Sequence, residues 1–328
     1  MMLGSLTMRR FDVCNGDADG LCSVLQWRLH QPGESELVTG LKRDIELLQR
    51  VPPEEADEVL VCDLSMKRNH AALLRLLEAG VRVRYFDHHA AGRVPEHGGL
   101  DAHLDFGADV CTSLLMDRHL GGRFRAWAIV GAYGDEMVAV ADGLAASAGL
   151  DPAAAADLRG LGQAINYNAY GVDERDVCIA PSELYRVMAR HADPFAMLAE
   201  GVVARIRQRR AEDLRMAMSL APAWLSASAR ITILPAQAWS RRVIGCLANE
   251  LAESVPDQAQ AVLVTRADGS MTVSVRAPRA APHGASRVCE AFGGMGREAA
   301  AGIDHLPMRE LERFQEAFLH ARWGGVDA

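Results

Sequence analysis

Short β-prone runs that stop at a polar residue recur along the first half of the chain. Phe11 and Val13 lead into Asn15-Gly16-Asp17-Ala18-Asp19-Gly20, Val59 to Cys62 leads into Asp63, and Val81 to Phe86 leads into Asp87-His88-His89. Ala126 to Tyr133 (AWAIVGAY) reads as a fourth such run, ending at Gly134-Asp135. Between the runs lie stretches with apolar residues three and four apart, HAALLRLLEAG being the clearest, and these predict helices. Strands alternating with helices predict an α/β fold with a parallel sheet, in which ligands gather outside the carboxyl ends of the strands. The polar motifs, far apart in sequence, are therefore expected to converge.

From about Asp151 the texture turns to alanine-rich helix. Phe195 to Leu220 reads as one long helix with a basic middle at Arg205, Arg207, Arg209 and Arg210. Beyond it, ITILPA and QAVLVTRADGSMTVSVRAP predict strands, with Asp268-Gly269 as a hairpin turn. EAFGGMGREAAAG reads as a glycine-rich turn before a helix begun by alanines 299 to 301. The expected organisation is a first domain over 1–192, a helical linker over 193–222 and a smaller mixed α/β domain over 223–328.

With 328 residues and 49% hydrophobic content the chain can bury the cores of two such domains. Its net charge of -8 argues against a broad basic face for long duplex DNA, so a polyanionic substrate should be short. Aromatic content of 5% agrees, because long single strands are usually tracked by stacking platforms. The seven cysteines are dispersed and lack the close pairs of a zinc ribbon or redox motif, which fits a reducing cytoplasm. No apolar run approaches the roughly 20 residues of a membrane span, and Met8 reads as a natural start. A homodimer is left open.

The first motif alternates polar Asn15, Asp17 and Asp19 with small Gly16, Ala18 and Gly20, which lets the backbone curl and the acidic groups cluster. Clustered carboxylates repel unless a cation joins them, and a mixed Asp/His set favours Mn²⁺ over Mg²⁺. Each motif alone has a structural alternative: an acidic turn or calcium loop at Asp17 and Asp19, a helix cap at Asp63, a cap at Asp135. The run Asp87-His88-His89 is the hardest to explain as structure, because three ionisable residues follow an apolar strand end.

NGDADG, VCDLS, FDHHA and GAYGDE, in that order, resemble the four motifs of the DHH phosphoesterase superfamily. SVRAP around Arg276 and GGMGREAAAG at Gly293 to Gly302 likewise resemble the DHH-associated C-terminal domain. The resemblance implies two Mn²⁺ ions bridged by Asp63, with Asp17 on one and Asp19, His88 and Asp135 on the other. It further implies that Asp87 orients the histidines, that His89 lies by the scissile phosphate, and that a metal-activated water attacks phosphorus in line. The family usually has a histidine or an extra aspartate where Val13 and Asn15 stand, so the Asp17 ion should be held weakly, with the Asn15 carbonyl as a neutral ligand. Gly293, Gly294 and Gly296 would let backbone amides approach a phosphate, beside Arg276 and beside Arg297, which stands where the family usually carries histidine.

The branch most resembled degrades nano-RNA and linear dinucleotides such as pGpG to 5′-mononucleotides. Chemistry alone leaves open the mononucleotide pAp, cyclic dinucleotides and polyphosphate as substrates, a RecJ-like single-strand exonuclease, and a non-catalytic nucleotide-binding regulator.

Overall fold

The computed structural model describes residues 8–324, so the proposed start at Met8 has its preceding segment outside the described residues. The chain forms two compact units, Met1–Arg207 and Gln208–Ala328.

In the first unit the strands are β1 (Arg10–Cys14), β2 (Glu36–Val38), β3 (Glu58–Cys62), β4 (Arg82–Asp87) and β5 (Leu100–Leu104). They form one wholly parallel sheet in the order β2-β1-β3-β4-β5. Chain order reverses between β1 and β3, the crevice position at which α/β sheets place their ligands. The helices are α1 (Ala18–His30), α2 (Met66–Glu78), α3 (Thr112–His119), α4 (Arg125–Gly134), α5 (Val138–Ser147), α6 (Pro152–Asn168), α7 (Pro181–Met188) and α8 (Pro194–Met197), and α9 (Gly201–Met218) runs across the unit boundary. One core joins Phe11, Val13, Val59, Val61, Val83 and Tyr85 to Leu73, Leu76 and Leu77 of the amphipathic α2. The hydrophobic residues of α1 and α4 form a second buried layer, in which α4 packs on α1, α3 and α6.

Two expectations for this unit fail. The run AWAIVGAYG is helix α4, not a fourth strand, and Asp135 sits at its C-cap. An apolar run of this length serves a buried helix as well as a buried strand, and here it is surrounded by helices. The long helix from Phe195 is also broken, since α8 ends at Met197 and α9 starts at Gly201.

The second unit adds β6 (Trp224–Leu225), β7 (Ala229–Leu234), β8 (Ala259–Thr265), β9 (Met271–Arg276), β10 (Met295–Gly296) and β11 (Ala300–Leu306), with α10 (Ala238–Ser254), α11 (Ala285–Glu290) and α12 (Leu311–Leu319). Its sheet is mixed, in the order β10-β11-β9-β8-β7-β6, with only β7 and β8 parallel. Ile231, Leu263, Val273, Val275 and Ile303 pack with Phe314 and Phe318 as its core. The β8–β9 hairpin turns through Asp268-Gly269, where Gly269 takes φ 79°. Alanines 300 and 301 open strand β11, not a helix, because pairing with β9 from Ala300↔Arg276 onward outweighs their helical preference.

Candidate metal centre

Asp17 and Asp19 open α1 just past the end of β1, and Asp17 is the N-cap, its Oδ1 accepting from the Gly20 amide at 3.1 Å. Gly16 is needed here because a Cβ would stand 1.8 Å from the Gly40 carbonyl oxygen. Both Asp19 oxygens accept backbone amides at the start of α3, from Thr112 at 2.8 Å and Ser113 at 2.7 Å. That helix end fixes the carboxylate and partly offsets its charge.

Asp63 follows β3 with φ 58°, a left-handed backbone that aspartate tolerates better than most residues. Its amide donates to the Phe86 carbonyl at 3.0 Å, and the helix cap is Ser65, so Asp63 does no capping work. Burial, then the like charges of Asp17, Asp19 and Asp135, push its carboxyl well above the ordinary value. Such a group holds its proton unless a cation arrives.

His88 and His89 differ in role because their Nδ1 partners differ. His88 Nδ1 lies 2.9 Å from the Val110 carbonyl, which can only accept, so this nitrogen carries the proton. In the neutral ring Nε2 carries the lone pair, and it stands 3.5 Å from Asp63 Oδ1 and 3.9 Å from Asp19 Oδ2. His89 Nδ1 donates to Asp87 Oδ1 at 2.8 Å, and its side chain is 47% exposed. Burial alone would lower the His89 pKa, but the hydrogen bond and charge of the fully buried Asp87 outweigh it and raise it.

Asp135 reaches the cluster because α4 runs close against α1. A Cβ on Gly134 would lie 2.2 Å from the Ala18 Cβ, and one on Gly131 would lie 2.3 Å from Ser113 Oγ. Both motif glycines thus serve helix contact.

Among the described residues two groups bring potential ligand atoms within 4.8 Å of one another: Asp19, His88 and Asp135, and Asp63, His88 and His89. The first, with Asp63 beside it, fits one hard or borderline divalent ion: carboxylates plus one imidazole of fixed tautomer. The second fits poorly, because the His89 nitrogen nearest Asp63 is Nδ1, at 3.7 Å, already committed to Asp87. Asp17 belongs to neither group. Its Oδ2 accepts from Lys42 Nζ at 2.5 Å, and although burial pushes its carboxyl up, the Lys42 charge and hydrogen bond bring it below the ordinary value. Asn15 spends its amide locally, Oδ1 accepting from the Asp17 amide and Nδ2 donating to the Lys42 carbonyl, both at 3.2 Å.

Sequence reasoning missed Lys42 and the α3 amides. Lys42 follows β2, a strand of three residues in SELVTGLKRD that obeys the strand-end rule of the other motifs. The amides of Thr112 and Ser113 are backbone groups and leave no trace in residue type.

In the second unit, Arg276 ends β9 with Nε on Asn249 Oδ1 at 2.6 Å and an Nη on Ser274 Oγ at 3.0 Å. Arg297 is exposed at the tip of the β10–β11 hairpin. Gly293 and Gly294 donate their amides to the carbonyls of Glu290 and Cys289, closing α11, and a Cβ on Gly296 would stand 2.4 Å from the Ala301 Cα. No helix follows to aim amides at an anion, so the expected helix-end phosphate cradle is absent from this loop.

No family model and no curated protein matches the chain. Among solved structures, exonuclease RecJ bound to manganese matches 94% of the chain and 88% of its own, with a TM-score of 0.59 and 20% identity. The chain has the fold of RecJ. RecJ from Thermus thermophilus in complex with Mn²⁺ aligns over 94% of the chain at a TM-score of 0.56 and 20% identity, and the chain spans about half (51%) of that protein. A pGpG-specific phosphodiesterase from Vibrio cholerae aligns over 95% of the chain and 97% of its own, with a TM-score of 0.51 and 15% identity.

Proposed function

We propose that this protein is a divalent-metal-dependent phosphodiesterase that hydrolyses very short oligonucleotides, foremost linear dinucleotides such as pGpG, to 5′-mononucleotides. The observation that carries this reading is the convergence of Asp19, Asp63, His88 and Asp135 beside the sheet's reversal point, with Asp63 short of a cation. A divalent ion there, Mn²⁺ by the donor set, would neutralise phosphoryl oxygens and acidify an attacking water. Asp19, held by two amides, and His88, held by Val110, keep their ligand atoms fixed for such an ion. His89, exposed and with its Nδ1 proton tied to Asp87, would present its other nitrogen to the scissile phosphate, and its raised pKa keeps it a donor over a wider pH range.

The fold shared with the Vibrio cholerae pGpG phosphodiesterase supports a short substrate, as do the net charge of -8 and the scarcity of aromatics. Arg276 and Arg297 are the proposed contacts to terminal phosphates and bases, with Gly293, Gly294 and Gly296 shaping the loop that carries Arg297.

The test is turnover with Mn²⁺ on a panel of pGpG, short RNAs, long single-stranded DNA, pAp, cyclic dinucleotides and polyphosphate. Fastest release of mononucleotide from pGpG supports the reading. Preference for long single strands would replace it by a RecJ-like exonuclease. Tight pGpG binding without hydrolysis of any member would replace it by a nucleotide-binding regulator.

A further inference from the structure

We propose that the centre holds a single divalent ion and that the ammonium of Lys42 is a built-in cation in the place of the second. The proposal rests on the phosphodiesterase reading for its ion and on different residues for its content. Asp19, Asp63 and Asp135 gather their ligand atoms around His88, and Asp17 caps α1 beside them with Oδ2 turned to Lys42. Asp17 is buried and lies outside the ligand groups around His88, so its carboxylate needs a cation of its own.

Lys42 supplies it from a seat built at every polar atom of the residue. Nζ donates to Asp17 Oδ2 at 2.5 Å and to Asn166 Oδ1 on α6 at 3.2 Å, and lies 5.7 Å from the centre of the Tyr170 ring. The backbone amide donates to the Ala169 carbonyl at 2.9 Å, and the backbone carbonyl accepts from Asn15 Nδ2 at 3.2 Å. An aspartate at position 15 has no N–H to offer that carbonyl, so asparagine is what this seat needs. Asn15 and Lys42, 25 positions after Asp17, therefore form one unit that fixes a cation beside the Asp17 carboxylate.

The donor count points the same way. His88 turns one nitrogen to the carboxylates and the first ion would take it, His89 Nδ1 is bound to Asp87, and Asp17 already serves Lys42, so a second ion would be left with Asp63 and the outer His89 nitrogen.

Manganese stoichiometry and spin coupling, read on the full chain, test this. Equilibrium dialysis should give one Mn²⁺ per wild-type chain, with the EPR spectrum of an isolated ion at saturating metal. Lys42→Ala should admit a second, weaker ion, raising the count towards two with loss of signal through coupling, and its reduced turnover should recover as Mn²⁺ is raised. Lys42→Arg should keep one. Two coupled ions in the wild type would overturn the proposal while leaving the hydrolase reading intact. So would a Lys42→Ala protein, folded by circular dichroism, that still bound one ion and turned over as wild type. One ion and an isolated-ion spectrum with no hydrolysis would sink the hydrolase reading and leave the lysine assignment standing.

Discussion

Replacing Gly134 by alanine probes how the centre depends on helix contact. The new Cβ would stand 2.2 Å from the Ala18 Cβ and 3.1 Å from the Gly162 carbonyl oxygen. Carbon pairs rest at about 3.5–4.0 Å, so α4 and α1 must part by about 1.5 Å. Ala18 precedes Asp19 and Gly134 precedes Asp135, so the helices are wedged apart beside two of the proposed ligands, whose atoms lie within 4.8 Å of each other and of His88. Overpacking of this kind costs about 1–3 kcal/mol, and a misplacement near 1 Å costs about a hundredfold in rate. Gly134→Ala should therefore remain folded in a calorimetric scan with a lower Tm, bind Mn²⁺ more weakly by isothermal titration, and lose about a hundredfold in pGpG turnover. Gly143→Ala is the control. Gly143 sits in α5 with nothing within 4 Å, and alanine there should stabilise by about 0.5–1 kcal/mol and leave metal affinity alone. Wild-type Mn²⁺ affinity in a folded Gly134→Ala protein would refute the claim that this contact positions Asp135.

Further outcomes follow from the charges. The raised Asp63 pKa means the folded protein keeps a proton that the unfolded chain loses above the ordinary value of 3.8, so metal-free stability from this group is full below that pH and falls as pH rises. The Tm gain on adding Mn²⁺ should accordingly grow between pH 5 and pH 8, by scanning fluorimetry; a gain independent of pH would contradict the cation deficit. Arg28→Ala leaves the buried Asp12 charge with only the Ser35 hydroxyl, at 2.6 Å, in place of the Arg28 Nε at 2.6 Å and Nη at 2.5 Å, and should cost about 3 kcal/mol in urea unfolding. A loss under 1 kcal/mol would show the pair to be dispensable. Arg297→Ala should raise KM most for substrates with a terminal phosphate, and an equal rise for unphosphorylated ones would remove Arg297 from that role.

Much of this centre was legible because a parallel sheet stamps the same local pattern at each strand end. Phe11–Val13, Val59–Cys62 and Val81–Phe86 each lead within a few residues to acidic or histidine residues, and β1, β3 and β4 appear where those runs lie. The run before the fourth motif is helix and not strand because apolar length alone cannot separate the two when buried, and its glycines serve contact with Ala18 and Ser113. The alanines of β11 misled in the opposite direction, since sheet pairing overrides their preference. Lys42 was hidden because its meaning lies in partners 25 and 124 residues away, Asp17 and Asn166. A lysine in a loop carries no local sign of a half-buried ion pair.

The most direct measurement is the initial rate of 5′-GMP release from pGpG by chromatography, with and without Mn²⁺, for the wild type and for Asp63→Asn, which keeps a residue at home in left-handed backbone. The account requires two 5′-GMP per pGpG consumed, a rate abolished by chelation and restored by Mn²⁺, and a folded but inactive Asp63→Asn. Metal-independent release, or undiminished turnover by Asp63→Asn, would contradict it.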